Sequence, residues 1–140
     1  VLLEKMPRRE YVKNFEDYRP MSENWNGLRI LGESGVDFVI ATNQPGVATG
    51  EVSETFLLRL HQRMVPEMLN AGINVLAVYV CKHHWNDNCV CRKPEPGMLL
   101  NAISDFGIDK DQTIYIGDDD RDLLAVIIQE ISNIPILKVP

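Results

Sequence analysis

The sequence is poor in cysteine, in long apolar runs and in basic residues. It has three cysteines in 140 residues, and 14 Lys and Arg against 20 Asp and Glu, for a net charge of -6. No apolar run approaches the roughly 20 residues that span a membrane, and Val1-Leu2-Leu3 is too short for the core of a signal peptide. A duplex nucleic-acid binder normally carries a basic stripe. We therefore expect neither a membrane nor a nucleic acid as a partner.

The chain also lacks internal repeats, low-complexity tracts and linkers. Its 140 residues, 45% hydrophobic and 24% charged, fit one globular domain, 1–140, that can bury a core. We expect this domain to be a monomer.

All three cysteines fall in one short segment beside a histidine. Cys81 and His83 are one residue apart, a five-residue loop follows, and Cys89 and Cys91 are again one residue apart. Three thiolates and one imidazole are typical ligands of closed, tetrahedral zinc sites that hold a loop in shape. The segment therefore predicts a structural Zn²⁺ site at these four residues. Reduced thiols, together with the lack of an export signal, favour a cytoplasmic location.

Two other interpretations of the cysteines stay open. They could be buried thiols beside a surface histidine, although buried cysteines rarely occur so closely spaced next to one. A disulfide is disfavoured because Cys-x-Cys pairs close poorly and an odd thiol would be left over. We interpret His84 as a loop residue, and His61 as a helical residue at the surface or in packing.

Short β-rich runs alternate with amphipathic stretches, which is the pattern of parallel strands joined by helices. The strands end in polar motifs, and parallel strands bring such ends to one edge of a sheet, where α/β folds place their ligands. The sequence therefore predicts an α/β fold with a parallel sheet. The predicted strands are a buried Asp37–Ala41 ending at Thr42, then Asn74–Cys81, Thr113–Ile116 and Ile134–Val139.

Apolar residues at helical spacing predict helices between the strands. In the first, Ser53 is the N-cap, Pro66 should kink or split the helix, and Gly72 should stop it. Its core stripe is Phe56, Leu57, Leu60, Met64 and Met68. A shorter helix is predicted over Gly97–Phe106 with Leu99, Leu100, Ile103 and Phe106 inward, and a further helix-like stretch from Leu123 to Asn133.

Two of the motifs after strands could bind phosphate. Thr42-Asn43-Gln44 offers a hydroxyl, side-chain amides and a turn whose N–H groups can face an anion. Lys93, next to Arg92, could place its charge against a phosphoryl oxygen. Taken separately, the first motif is equally consistent with a plain turn and the lysine with a solvated surface charge.

The third motif is a run of acidic residues after the third strand. Four carboxylates in five positions, 118–122, repel one another unless a cation gathers them, and Asp118 and Asp122 share a face if a helix begins there. Oxygen ligands of this kind suit Mg²⁺. The alternative is an acidic helix N-terminus favoured by the helix dipole, and Asp119 and Asp120 could be only that.

Taken in order, these motifs resemble the haloacid dehalogenase superfamily of aspartate-dependent phosphatases. Within it, the strings TNQPGVATG, CKHHWNDNCVCRKPEPGML and YIGDDDRD are similar to the D-glycero-D-manno-heptose 1,7-bisphosphate phosphatases and the histidinol-phosphate phosphatases. The resemblance runs from about Tyr11 to Leu124. It implies a three-layer, Rossmann-like fold with a zinc loop in place of a large cap domain, and a role in carbohydrate metabolism such as lipopolysaccharide biosynthesis.

The resemblance also implies a Mg²⁺-dependent site for a small phosphorylated metabolite. Asp122 would support Lys93 or the metal shell. The implied catalytic residues are Thr42, Lys93 and Asp118; the substrate contacts are Thr42, Asn43, Gln44, Arg92 and Lys93; the Mg²⁺ ligands are Asp118 and Asp122; and the structural Zn²⁺ ligands are Cys81, His83, Cys89 and Cys91.

One part of the family's site has no counterpart in this sequence. The family carries a DxDGT-like motif on its first strand, with a nucleophilic aspartate and an acid–base aspartate, and nothing like it occurs here. Because that strand lies in mid-sheet, its loss would leave two interior strands with unpaired edges. We therefore expect the natural protein to extend upstream of Val1.

Several functions are compatible with these motifs. The leading hypothesis is an aspartyl-phosphate phosphomonoesterase for a sugar phosphate such as heptose 1,7-bisphosphate. Thr49 stands where heptose phosphatases usually have arginine, which weakens the case for the heptose bisphosphate. The short zinc loop is nearer the histidinol-phosphate enzymes, whereas PGML after the lysine favours the heptose branch. A polynucleotide 3′-phosphatase shares a TNQ-type string, and a non-catalytic, zinc-stabilised binding module is the alternative from another class.

Overall fold

The protein was analysed as a computed structural model, which describes residues 1–4, 6–7, 10–127 and 136–138. Helices and strands alternate along the chain, as the sequence predicts. The elements are α1 (Ser22–Glu33), β1 (Phe38–Asn43), α2 (Glu54–Asn70), β2 (Val75–Cys81), α3 (Gly97–Phe106), β3 (Tyr115–Gly117), α4 (Asp120–Ile127) and β4 (Ile136–Lys138). Each strand lies within two residues of its predicted position, except that residues 134, 135 and 139 of the predicted last strand lie outside the described ranges.

The strands pair in parallel, which confirms the predicted α/β class. β1 pairs with β2, and β3 with β4, and these are two separate sheets within the described residues. The register places Asn43, the last residue of β1, level with Cys81, the last residue of β2. The predicted phosphate-binding motif, Thr42-Asn43-Gln44, and the first predicted zinc ligand, Cys81, therefore lie side by side at the end of the sheet.

The prediction that β1 is a buried strand was wrong. Every side chain of Phe38–Asn43 is half-buried. The strand pairs along one edge only in the described part of the chain, so its side chains have fewer neighbours than those of a strand inside a sheet.

Helix α2 confirms the predicted cap and core face. The Ser53 Oγ accepts the Phe56 N–H at 3.1 Å, as an N-cap does. The helix ends just before Gly72, where the Ile73 N–H bonds to the Met68 carbonyl at 2.9 Å. Pro66 lies inside one continuous helix, so the predicted split does not occur. The stripe residues Leu57, Leu60, Met64 and Met68 are buried, and Phe56 packs against them.

Helix α3 has its predicted bounds but a different inward face. Its buried residues are Met98 and Ala102, whereas Leu100 and Phe106 are 38% and 42% exposed. Leu99 and Ile103 pack against Val126 of α4, so these two residues point inward as predicted. The face is rotated because α3 packs on both the β1–β2 sheet and α4, and spacing along one helix does not encode those neighbours.

The main core lies between α1, α2 and the β1–β2 sheet. Its buried members are Tyr18, Leu28, Val52, Leu57, Leu60, Met64, Met68 and Ile73. The predicted helix from Leu123 is part of α4, and residues 128–133 of that prediction lie outside the described ranges. Among the described helices, none has the length and apolar character of a membrane span.

Candidate active site and metal cluster

The four predicted zinc ligands converge in the loop that follows β2. The Cys81 Sγ lies 3.7 Å from both the His83 Nδ1 and the Cys89 Sγ, and the Cys89 Sγ lies 3.7 Å from the Cys91 Sγ. The His83 Nδ1 and the Cys91 Sγ are 3.1 Å apart. In a tetrahedron with Zn–S bonds of about 2.3 Å, two sulfurs lie about 3.8 Å apart. The spacing of the donor atoms therefore fits one zinc ion.

The chemistry of the donors points the same way. All four ligand atoms lie within 4.8 Å of one another, and the Cys81 side chain is fully buried. Burial, and then the neighbouring thiols, raise the pKa of Cys91 to about 12, and burial also raises the pKa of Cys81. Burial would raise the pKa of Cys89 as well, but hydrogen bonds with the Arg92 backbone and the two other thiols hold it below its usual value. Cys81 and Cys91 are therefore the thiols that become thiolates readily only beside a cation, which a bound metal would provide. His84 lies outside this group and stacks on Trp85 with ring centroids 3.8 Å apart.

The metal loop, residues 81–91 with the four predicted zinc ligands, is followed by Lys93, which is fixed to the end of β1. The Asn43 side chain accepts the Lys93 backbone N–H at 3.0 Å and donates its own amide to the Lys93 carbonyl at 3.0 Å. Both polar ends of the Asn43 side chain are therefore used to hold the lysine backbone. The sequence motif predicts Asn43 as a substrate contact. In the structure its side chain instead positions the backbone of Lys93.

The Lys93 ammonium lies between β1 and β3 and pairs with Asp122. Its Nζ is 2.6 Å from the Asp122 Oδ1 and donates to the Ala41 carbonyl at 2.8 Å. The two side chains are only 12% and 7% exposed. Burial alone would raise the pKa of Asp122, but the hydrogen bond and charge of Lys93 outweigh it and hold that pKa below its usual value. Asp122 is therefore a charged partner that keeps the lysine in place.

Tyr115 completes this pair, although its place in the sequence gives no sign of such a role. Its hydroxyl donates to the Asp122 Oδ1 at 3.1 Å and accepts from the Lys93 Nζ at 3.3 Å. Burial, followed by the charge of Asp122, raises the pKa of Tyr115 well above its usual range. The hydroxyl stays neutral and can serve both partners at once.

The acidic run begins α4 and is organised around Asp122. The Asp122 Oδ2 accepts the backbone N–H groups of Asp118 and Asp119, each at 3.2 Å. Both Asp122 oxygens therefore have protein partners. The Asp118 side chain is 23% exposed, against 7% for Asp122. Of the two predicted Mg²⁺ ligands, Asp118 has the more open carboxylate.

Thr42 and Arg92 border the same region. The Thr42 Oγ1 accepts an amide hydrogen bond from Gln44 at 3.1 Å, so these two predicted phosphate contacts hold one another. Arg92 lies beside Lys93 in a cavity of about 330 Å³, and its Nη1 is buried without a hydrogen-bond partner among the described residues. The cavity is lined by Trp85, Asn88, Cys89, Arg92, Lys93, Pro94, Glu95 and Arg121.

Gly117 is required by the close approach of Asp122. A Cβ at Gly117 would lie 2.6 Å from the Asp122 Cβ and 2.7 Å from its Oδ2, so Asp122 would have to move. We expect Gly117→Ala to destabilise the protein by about 1–3 kcal/mol, as overpacking does. Urea unfolding measures this, with Gly27→Ala as control because that helical position has nothing within 4 Å of an added Cβ. Equal stability of the two variants would contradict the prediction.

The known proteins that this chain resembles are phosphatases. The family model described as polynucleotide kinase 3 phosphatase matches residues 2–126. A D-glycero-beta-D-manno-heptose-1,7-bisphosphate 7-phosphatase of Pasteurella multocida is 33% identical, over 91% of this chain and 73% of that protein. The enzyme of the same name from Haemophilus influenzae is 35% identical, over 84% of this chain and 67% of the relative.

Solved structures give the same result for the fold. The D,D-heptose 1,7-bisphosphate phosphatase of B. bronchiseptica, solved with magnesium and phosphate, matches with a TM-score of 0.81 and 27% identity, over 91% of this chain and 72% of that one. A HAD-like phosphatase of Mesorhizobium loti matches with a TM-score of 0.67 at 22% identity, over 81% of this chain and 57% of that one, and so shows the fold alone.

The chain is shorter than these relatives. It spans 64% of a heptose-bisphosphate phosphatase of Neisseria meningitidis that is 31% identical to it. The matched region still contains all three strand-end motifs and the metal loop. The chain therefore belongs to the haloacid dehalogenase superfamily of phosphatases, in the family that includes the heptose-1,7-bisphosphate 7-phosphatases.

Proposed function

We propose that this protein is a Mg²⁺-dependent phosphomonoesterase for a small sugar phosphate, with heptose 1,7-bisphosphate as the first candidate. The observation that carries the proposal is the Lys93 ammonium, held 2.6 Å from Asp122 and fixed to the end of β1. A preorganised cation at the ends of neighbouring strands is the electrostatic part of a phosphoryl-transfer site.

Each residue has a distinct role in this proposal. Thr42 and the amides that follow it would bind phosphoryl oxygens, and Lys93 would neutralise the charge that develops on the phosphoryl group. Asp122 and Tyr115 orient the lysine. The family's nucleophilic aspartate has no counterpart in the sequence, so the proposal assigns only the residues that bind and stabilise the phosphoryl group.

Two metal ions belong to the proposal. Asp118 would hold Mg²⁺. Asp122, the second predicted ligand, would support the site by holding Lys93 in place. Bound Mg²⁺ would supply positive charge to the phosphate oxygens, as this ion does in phosphoryl-transfer enzymes. Cys81, His83, Cys89 and Cys91 would hold a structural Zn²⁺, since the spacing of their donor atoms fits a tetrahedron.

The heptose bisphosphate is the first candidate because relatives named as heptose-1,7-bisphosphate 7-phosphatases are 31–35% identical to this chain. Histidinol phosphate is the second candidate, on the basis of the short five-residue zinc loop. The name of the matching family model makes a 3′-phosphorylated nucleic acid the third. The net charge of -6 weighs against this third substrate, because nucleic-acid sites are normally basic.

A comparative assay tests the proposal. The product of the complete gene, with Mg²⁺, is given heptose 1,7-bisphosphate, histidinol phosphate and a 3′-phosphorylated oligonucleotide, and released phosphate is measured. We expect the bisphosphate to have the highest kcat/KM, by at least tenfold. Preference for either other substrate would replace the candidate. No release from any ester would support the non-catalytic binding module instead. The predicted monomeric state and cytoplasmic location stay predictions.

A further inference from the structure

The metal loop carries an exposed tryptophan that the proposed catalysis does not use. Trp85 is 56% exposed, although tryptophan is highly buried on average in folded proteins. It lines the cavity of about 330 Å³ that also contains Lys93, the proposed phosphate-binding lysine. Ligand cavities are lined mainly by aromatic and other apolar side chains, which contact the less polar parts of the ligand. Trp85 is therefore placed to contact a molecule bound at Lys93.

Trp85 is held in place by its neighbours in the loop. Its indole stacks on the imidazole of His84, with the ring centroids 3.8 Å apart and the ring planes at 35°. The imidazole is fixed in turn, since its Nδ1 accepts the Asn86 backbone N–H at 3.3 Å. The Asp87 carboxylate accepts the His84 backbone N–H at 2.7 Å and closes the same turn. The indole therefore has a defined orientation, with one face on His84 and more than half of the side chain exposed.

The charges around the cavity balance one another. Besides the Lys93 ion pair, Arg121 pairs with Asp119, and its Nε and Nη2 donate to the two carboxylate oxygens at 2.8 and 2.7 Å. Arg92 is the third basic residue of the lining, and Glu95 supplies a third carboxylate. The basic side chains are therefore matched in number by carboxylates, so the cavity does not require a second anionic group. A neutral part of the substrate can lie beside the indole.

We propose that Trp85 determines substrate specificity by stacking against the sugar ring of the substrate. The inference rests on the proposed function, because a phosphate at Lys93 would place the sugar in this cavity. One face of a sugar ring presents C–H groups, which pack favourably on the electron-rich face of an aromatic ring. Asn88 and Glu95 line the same cavity and offer hydrogen-bonding groups to the hydroxyls around the ring. The stack on His84 keeps the indole oriented for this contact.

The test compares a ligand that has a sugar ring with one that has none, in Trp85→Ala. The complete gene product with Mg²⁺ is assayed with heptose 1,7-bisphosphate, and inorganic phosphate is used as the competing inhibitor. We expect the KM of the bisphosphate to rise about fivefold or more, the size of one aromatic contact, while its kcat and the Ki of phosphate change much less. Trp85→Phe keeps an aromatic ring and should keep most of the affinity. Val90→Ala is the matched control, since Val90 lies on the metal loop, is 76% exposed and is not part of the cavity lining.

A smaller rise in KM in Trp85→Ala would overturn the inference. An equal rise in the Ki of phosphate, or an equal rise in KM in Val90→Ala or Trp85→Phe, would overturn it too. If the unaltered protein does not hydrolyse the bisphosphate, the proposed function fails, and calorimetric binding without Mg²⁺ decides the inference separately. We then expect Trp85→Ala to weaken binding of the bisphosphate about fivefold or more and to leave binding of inorganic phosphate unchanged. Equal binding of the bisphosphate by the two proteins would contradict the role of Trp85.

Discussion

Replacing Lys93 with alanine is expected to lower kcat about 10²–10³-fold, which is the usual cost of removing one preorganised electrostatic group from an active site. The reason is the position of its ammonium, 2.6 Å from Asp122 and directly after the metal loop. The measurement is steady-state phosphate release by the complete gene product with Mg²⁺. Lys13→Ala is the matched control, because Lys13 is half-exposed and 3.9 Å from Glu51, outside the site. A kcat near normal in Lys93→Ala would refute the role assigned to the lysine.

A loss of folding could imitate this result, because Lys93→Ala leaves the buried Asp122 carboxylate without its cation. Breaking a buried pair in this way costs about 3–5 kcal/mol. The double variant Lys93→Met with Asp122→Asn removes both charges, and we expect it to be folded by circular dichroism and still inactive. Normal activity in the folded double variant would again contradict the role of Lys93.

Replacing His83 with alanine is expected to remove the bound metal and lower the melting temperature substantially. The reason is that structural zinc contributes to folding directly, with apparent binding free energies of about 10–16 kcal/mol in zinc-finger peptides. Elemental analysis of the purified protein should give about one zinc per chain before the substitution, as a four-ligand site requires. His84→Ala is the matched control, because His84 is the next residue yet lies outside the ligand group.

Two results would contradict the zinc assignment. One is the absence of zinc from the pure, unaltered protein. The other is a chelator that leaves the melting temperature of the unaltered protein unchanged. We also expect the metal-free protein to bind inorganic phosphate more weakly, because Cys91 is two residues before Lys93 and the loop presents that lysine to the site.

The agreement between sequence and structure is greatest where the determinants are local. The bounds of α3, the Ser53 cap of α2 and the clustering of the four predicted metal ligands follow from neighbouring residues in the sequence. Capping depends on a side chain and an N–H three residues later, and the ligands lie within one eleven-residue segment. Such features need little information about the rest of the chain.

The inward positions of Leu100 and Phe106 on α3, and the burial of β1, were predicted wrongly for the opposite reason. Leu100 is exposed because two surfaces, the β1–β2 sheet and α4, decide which side of α3 is covered. The strand β1 is half-buried. Its burial depends on the elements that cover its edges and faces, and the residues of the strand do not specify those elements. An apolar pattern indicates that a face will be covered, but not by which element.

The amino-acid sequence by itself determined the α/β class, the clustering of the four predicted metal ligands and the three motifs at the strand ends, because each depends on spacing over a few residues. Only the tertiary structure decided that Asn43 holds the backbone of Lys93, 50 residues away, and that Tyr115 and Asp122 hold its ammonium. It also decided that Asp119 orients Arg121 toward the cavity shared with Lys93. Hydrogen bonds of this kind form only when parallel strands bring distant segments to one end of the fold, where burial makes each polar partner necessary.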